Sequence, residues 1–315
     1  MPAEGWAGAW QRHPWVRRAT LVQRRAQRWP PALRGLMWSS AAGLLFVLLN
    51  TLMRKLAIEL DPFQTQFLRY LAAVGVMLPL MARSGWAAWR PRNVGGQFTR
   101  GAVHTAGLVL WFIAVPHITL ADTTAIGFTT PIFIMLGAAL LLKEPMRWER
   151  WAASLMGFAG VLTVVAPQLA ASGGSYALVM LASSPVFAAS FLITKALTRY
   201  ERPEVIVAWQ AISVTAFSLP MALLHWSWPG PLQWVLFITC GVLGSVGHYC
   251  LARSYRVADI SATQSIKFLD LVWATLFGWL VFADLPSRWT LAGGAVICAS
   301  TVWIARREAR GRAPA

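Results

Sequence analysis

Lys267 and Asp270 are three residues apart within "SATQSIKFLDLVWATLFGWLVF" (Ser261 to Phe282), a stretch with no other charge. A spacing of three puts both on one helical face, close enough to pair. Burying such a pair is not clearly stabilising, because desolvation can exceed the Coulomb gain. One reading is a self-neutralising pair that tolerates burial. The other is a working pair: Lys267 meets an anionic group, Asp270 takes an amine or a proton, and the two separate when a solute inserts. Ionisable residues at such depth are functional candidates by default. Arg69 poses the same question. With Asp61–Pro62 as the helix start, it lies seven residues along, about 10 Å into the segment at the α-helical rise. A charge near a bilayer centre costs at least about 2.5–3.5 kcal/mol, so Arg69 either clamps carbonyls at the end of the first segment or anchors a carboxylate or phosphate.

Other residues could serve the same chemistry. His104 and His248 lie at comparable depth and titrate near neutral pH, so either could carry a coupling proton or be a hydrogen-bonded core histidine. Gln264, with Asn50, Gln66 and Gln210, could line a polar route or bond between helices. Trp111, Tyr249 and Trp273 offer stacking surfaces for a planar ligand, although interfacial belts and packing are the usual roles in a chain with 18 tryptophans. Pro131, Pro185 and Pro220 fall inside apolar segments, where proline frees a carbonyl and bends a helix. Pro131 follows two threonines and is the candidate hinge.

These residues must be positioned by apolar elements. The chain is 57% hydrophobic and 13% charged, about half the charge of a soluble domain, with mean hydropathy +0.53. A spanning helix needs about 20 apolar residues. Ten segments qualify: 33–57, 62–82, 98–116, 121–143, 148–166, 173–197, 203–225, 231–254, 260–283 and 288–306. Lipid offers the backbone no partners, so each is expected to be helical. The fold class expected is therefore all-α and integral to a membrane.

The net charge of +16 does not point to nucleic acid, because its distribution follows the segments. Arginine and lysine fill the tail before residue 33 and the connections after the second, fourth, sixth and eighth segments, among them Arg83, Arg90, Arg92, Arg100, Lys143, Arg150 and Lys195. The C-terminal tail adds Arg306, Arg307, Arg310 and Arg312, whereas connections 167–172 and 226–230 have none. This is the positive-inside pattern for ten spans with both termini cytoplasmic in a cell inner membrane, with attraction to anionic lipids as a second role for the N-terminal tail. Arg54, Lys55, Arg69, Lys267 and Arg288 depart from the pattern. Arg54 and Lys55 can snorkel at the outer end of the first segment, and Arg288 is read as solvated. Residues 1–32 lack the apolar core of a signal peptide. Cys240, Cys250 and Cys298 lie within segments and read as small hydrophobes, with no spacing suited to zinc. No cofactor is expected.

The sequence repeats. "LADTTAIGFTTPIFIMLGAALLLKEPMRW" from Leu120 matches "VADISATQSIKFLDLVWATLFGWLVFADLPSRW" from Val257. Each opens on an Ala-Asp pair (Asp122, Asp259), closes on an acid and a proline (Glu144–Pro145; Asp284 and Pro286), and continues into Arg-Trp (Arg147–Trp148; Arg288–Trp289). The match relates segments four and five to nine and ten. Because five is odd, the second half must enter the membrane from the opposite side, a construction used by secondary transporters.

These motifs resemble the EamA-type repeats of the drug/metabolite transporter superfamily. Such repeats usually read Leu-Glu-Pro-Val-x-Ala in the penultimate span, where this chain has "LDLVWA" with Asp270 in the glutamate's place and Leu271 in the proline's. "TTPIFIM", Glu144, "FLRYLAAVGVMLPL" and the closing "WIARRE" extend the resemblance over residues 35–308. It implies a ten-helix basket of two inverted five-helix repeats, residues 33–166 and 173–306, between tails 1–32 and 307–315. The cavity would be lined by the third, fourth, eighth and ninth spans, with the fifth and tenth peripheral. Small residues four apart in those two, Ala153 and Gly157, and Ala295 and Ala299, permit close packing.

The expected function is secondary transport of small organic metabolites by alternating access. No P-loop is present to couple ATP. Arg54, Lys55, Arg69 and Lys267 outnumber Asp270, which favours a substrate with a negative group: amino-acid-like or, from the resemblance of "FLDLVWA" and "WIARRE", S-adenosylmethionine-like. The alternatives are a non-transporting sensor or assembly subunit, or an exporter of drugs or metabolites such as riboflavin. No cluster of catalytic type is visible, so an enzyme is not expected. The small-residue faces permit a monomer or a homodimer.

Overall fold

The computed structural model describes residues 29–114, 126–145, 147–169, 175–282 and 288–310. Asp122, Asp284, Pro286, Arg312 and most of the basic N-terminal tail lie outside the described residues, as does the side chain of Arg54. The described residues form helices α1 (Pro31–Glu59), α2 (Pro62–Ser84), α3 (Val94–Ala114), α4 (Thr130–Leu141), α5 (Trp148–Leu169), α6 (Ser175–Leu197), α7 (Pro203–Ala222) and α8 (Pro231–Val257). They continue with α9 (Ile260–Gln264), α10 (Leu269–Phe282) and α11 (Arg288–Arg310). Five are apolar and long enough to cross a membrane: Pro31–Ala57, Pro62–Ser84, Leu178–Leu197, Pro203–Ala222 and Pro231–Val257.

Proline sets many of the starts. α1, α2, α4, α7 and α8 each carry one in the first turn, where the missing N–H has no acceptor to lose and the fixed φ suits a helix. Asp61 caps α2, its Oδ1 accepting from the backbone N–H of Phe63 (2.9 Å) and Gln64 (3.0 Å). Pro185 and Pro220 lie inside α6 and α7, as the sequence suggests.

The structure departs from the sequence reading at three places. Pro131 is not a kink within a continuous helix. It sits in the first turn of α4, after a turn at Phe128–Thr129, because that position tolerates a residue without a donor. The ninth segment is also interrupted, by a 3₁₀ turn over Ser265–Phe268 between α9 and α10. Arg100 is not a solvated cation of a basic connection. α3 begins at Val94, so Arg100 lies about 9 Å along it and is only 2% exposed. Its Nε donates to Thr194 Oγ1 (2.5 Å), Nη1 to Ile206 O (3.1 Å) and Nη2 to Gln210 Oε1 (2.6 Å).

Packing joins the two halves of the chain throughout. α1 lies against α8 and α3 against α6; α2 against α8 and α7 against α3; α10 against α1 and α4 against α6. Exchanging the halves turns each of these pairs into its companion, and α2 with α7 and α5 with α11 map onto themselves, while α7 also packs against α8 within the second half. Small residues allow the closest approaches. A Cβ at Gly160 of α5 would lie 2.8 Å from the carbonyl oxygen of Gly293 on α11, and Ser300 Oγ donates to Ala153 O (2.7 Å).

Candidate functional site

The break in the ninth segment positions its charges. Lys267 lies within the 3₁₀ turn and Asp270 stands in the first turn of α10, where the helix dipole favours a carboxylate. Lys267 Nζ lies 3.7 Å from Asp270 Oδ2, and both side chains are partly exposed (17% and 26%). α1 approaches so closely at Gly43 that a Cβ there would lie 1.9 Å from Asp270 Oδ1. The pair therefore sits at the contact between α10 and α1.

From Lys267 a continuous series of contacts crosses the bundle. Its Nζ lies 5.4 Å from the ring centroid of Phe46 on α1, within cation–π range. Phe46 meets His248 of α8 edge-on at 4.9 Å, and His248 meets His104 of α3 at 5.8 Å. His104 is held on both nitrogens, Nε2 by Tyr70 Oη (3.0 Å) and Nδ1 by Ser190 Oγ (3.2 Å). Tyr70 in turn lies beneath the guanidinium of Arg69, 4.4 Å from Cζ. Of the residues singled out in the sequence, this brings Arg69, His104, His248, Lys267 and Asp270 into one connected cluster drawn from both halves. Tyr70, Ser190 and Phe46 complete it. No spacing in the sequence marks them, since each joins only through a helix contact distant in the chain.

The other candidates sit elsewhere. Gln264 is buried at the end of α9, its Nε2 donating to Ile260 O (2.8 Å) while its Oε1 has no partner among the described residues. Trp273 Nε1 is likewise buried and has no partner among the described residues. Trp111 meets its neighbour Phe112 at 5.0 Å, and Phe112 meets Phe63 at the start of α2. Tyr249 turns from the cluster and packs edge-on to Trp38 at 6.2 Å.

A second polar group closes the end of the bundle where the basic connections gather. Glu144 caps α9: Oε1 accepts from the backbone N–H of Ile260 (2.9 Å), and Oε2 from the N–H (3.1 Å) and hydroxyl (2.6 Å) of Ser261. Arg150 donates to Ser261 Oγ (2.9 Å) and pairs with Asp259 at 3.0 Å. Lys195 donates to the carbonyls of Tyr255 (2.7 Å) and Ala258 (2.5 Å) and lies 3.9 Å from Glu144. These bonds tie the end of α4, α5 and α6 to the α8–α9 junction.

Known proteins resemble this chain over most of its length. The chain is 33% identical over 282 residues to a riboflavin transporter of Rhizobium johnstonii, covering 89% of this chain and 93% of that protein. It is 24% identical to an S-adenosylmethionine uptake transporter of Rickettsia prowazekii (88% and 94% covered) and 27% identical to the pseudopaline exporter CntI of Pseudomonas aeruginosa (87% and 96% covered). A solved crystal structure superposes with a TM-score of 0.73 at 18% identity, over 88% of this chain and 98% of that one, which speaks to the fold. The relatives are transporters rather than enzymes, and the helices are those of a multi-pass membrane protein. With matches over residues 33–166 and again over 174–306, the chain belongs to the EamA-like transporter family.

Proposed function

We propose that this protein is a secondary transporter that moves a small organic metabolite across the inner membrane by alternating access between two inverted five-helix halves. The observation that carries the reading is the mid-depth cluster itself. It takes Tyr70 and His104 from the first half and His248, Lys267 and Asp270 from the second. A site shared in this way changes its exposure when the halves rock. Interrupted segments four and nine occupy corresponding positions in the repeat, and paired discontinuous helices are where such transporters place their substrates. The Glu144–Arg150–Asp259–Ser261 network then acts as the closed inner barrier. Ten spans, repeats at 33–166 and 173–306 and two cytoplasmic termini complete the proposal.

For the substrate, the excess of cations over acids in the cluster favours a metabolite carrying a carboxylate, amino-acid-like or S-adenosylmethionine-like. A flat heterocycle of the riboflavin kind is the second reading, favoured by the 33% identity to a riboflavin transporter and by the aromatic wall of Phe46, His248 and His104. Proteoliposomes holding the purified protein test both. Saturable uptake of radiolabelled S-adenosylmethionine or methionine, lost in Asp270→Asn, is the expected result. Saturable riboflavin uptake alone would select the second reading, and no saturable flux of S-adenosylmethionine, methionine or riboflavin would overturn the transport proposal for these classes.

A further inference from the structure

We infer that Arg69 and His248 form a carboxylate-recognition subsite within this cluster, an inference that rests on the transporter reading and specifies which atoms meet the substrate. The starting point is an unmatched charge. Arg69 is 9% exposed, and among the described residues its guanidinium has no hydrogen-bond acceptor and no ion pair; its contact is the face of Tyr70. His248 is 8% exposed, and its Nδ1 is buried without a partner.

The two unmatched groups converge on one face of α8. A Cβ at Gly244 would lie 3.1 Å from Arg69 Nη2, so the guanidinium rests on the bare backbone there. His248 follows four residues later, one turn along the same face. Phe46 packs edge-on against the imidazole. Nearby polar groups are already engaged: His104 by Tyr70 and Ser190, and Asp270 by Lys267.

The chain shows what a structural buried cation looks like. Arg100 donates to three neutral acceptors, and Lys195 binds two backbone carbonyls near Glu144. Among the described residues Arg69 has none of this, and no α1 carbonyl accepts from it, which argues against a clamp at the end of α1. A largely buried charge without protein partners is costly, and the planar fork of arginine matches a carboxylate with two parallel bonds. A carboxylate also keeps a lone pair for an N–H of His248.

Thermal unfolding of the purified full-length protein in detergent tests the subsite without requiring flux. Sodium benzoate is the probe, with benzamide as its uncharged isostere and sodium chloride at equal ionic strength as control. Benzoate, and not benzamide, should raise the unfolding temperature of the wild type, since a ligand of the native state stabilises it. Arg69→Gln should weaken the apparent benzoate affinity about tenfold or more, as expected for losing a charge-assisted pair of bonds. Arg69→Lys should lie between. If Arg69→Gln does not yield a monodisperse protein, Gly244→Val, which crowds the guanidinium but keeps its charge, should produce the same loss. Equal shifts with benzoate and benzamide, no benzoate shift, or an undiminished shift in the variants would each overturn the subsite. Saturable flux with those results would leave the transporter reading intact, whereas benzoate binding without flux would remove that reading and keep the subsite.

Discussion

Arg100 and Arg69 are both buried in helices, yet their surroundings predict opposite responses to substitution. Arg100 ties α3 to α6 and α7 through three bonds. Arg100→Met should therefore destabilise the fold by about 3 kcal/mol, the scale of lost bonds to a charged group together with acceptors left unpaired. Arg69→Gln removes no such bond and should leave thermal stability nearly unchanged while impairing transport. Unfolding midpoints of the two variants side by side check this; equal losses would make Arg69 a structural residue. The sequence pointed to Arg69 because its depth can be counted from the Asp61–Pro62 cap. It hid Arg100, because a cation six residues into α3 looks the same in sequence as one in the adjoining basic connection.

At the scale of elements, the interrupted segments matter most. α9 is five residues long and begins beneath the carboxylate of Glu144. Glu144→Ala leaves those N–H groups without their acceptor, at a cost of about 1–2 kcal/mol for a lost cap. It should also raise the reactivity of a Ser261→Cys reporter toward a membrane-impermeant maleimide applied from the cytoplasmic side; unchanged labelling would deny Glu144 a barrier role. Much at this scale was legible. Apolar runs located the helices, and the three-residue spacing of Lys267 and Asp270 located their pair. The breaks were not, because hydropathy reports which residues can lie in lipid, not where the backbone changes its hydrogen-bond partner. Pro131 illustrates this: the same residue can bend a helix or begin one, and only the turn before it decides. The contacts joining Tyr70, Ser190 and Phe46 to the histidines were equally out of reach, since residues 34 and 86 positions from His104 meet through packing alone.

For the whole molecule, the exchange symmetry of the helix pairs accords with the internal sequence repeat. The proposed arrangement of two five-helix halves in opposite orientation requires both termini on one side, and the arginine distribution predicts that this side is the cytoplasm. Fusions of a fluorescent protein that matures only in the cytoplasm should glow at either terminus, and an alkaline phosphatase fused there should be inactive; an active C-terminal phosphatase would remove the ten-span topology. Alternating access makes the more direct demand that the inner barrier must open in every cycle. Arg150 and Asp259, paired at 3.0 Å across the halves, offer a place to hold it shut. In a background with Cys240, Cys250 and Cys298 replaced by alanine, Arg150→Cys with Asp259→Cys can be joined by a short bis-methanethiosulfonate, and flux measured in proteoliposomes before linking, after linking and after reduction. Linking should stop flux and reduction should restore it. Flux that continues through the linked protein would contradict alternating access through this barrier.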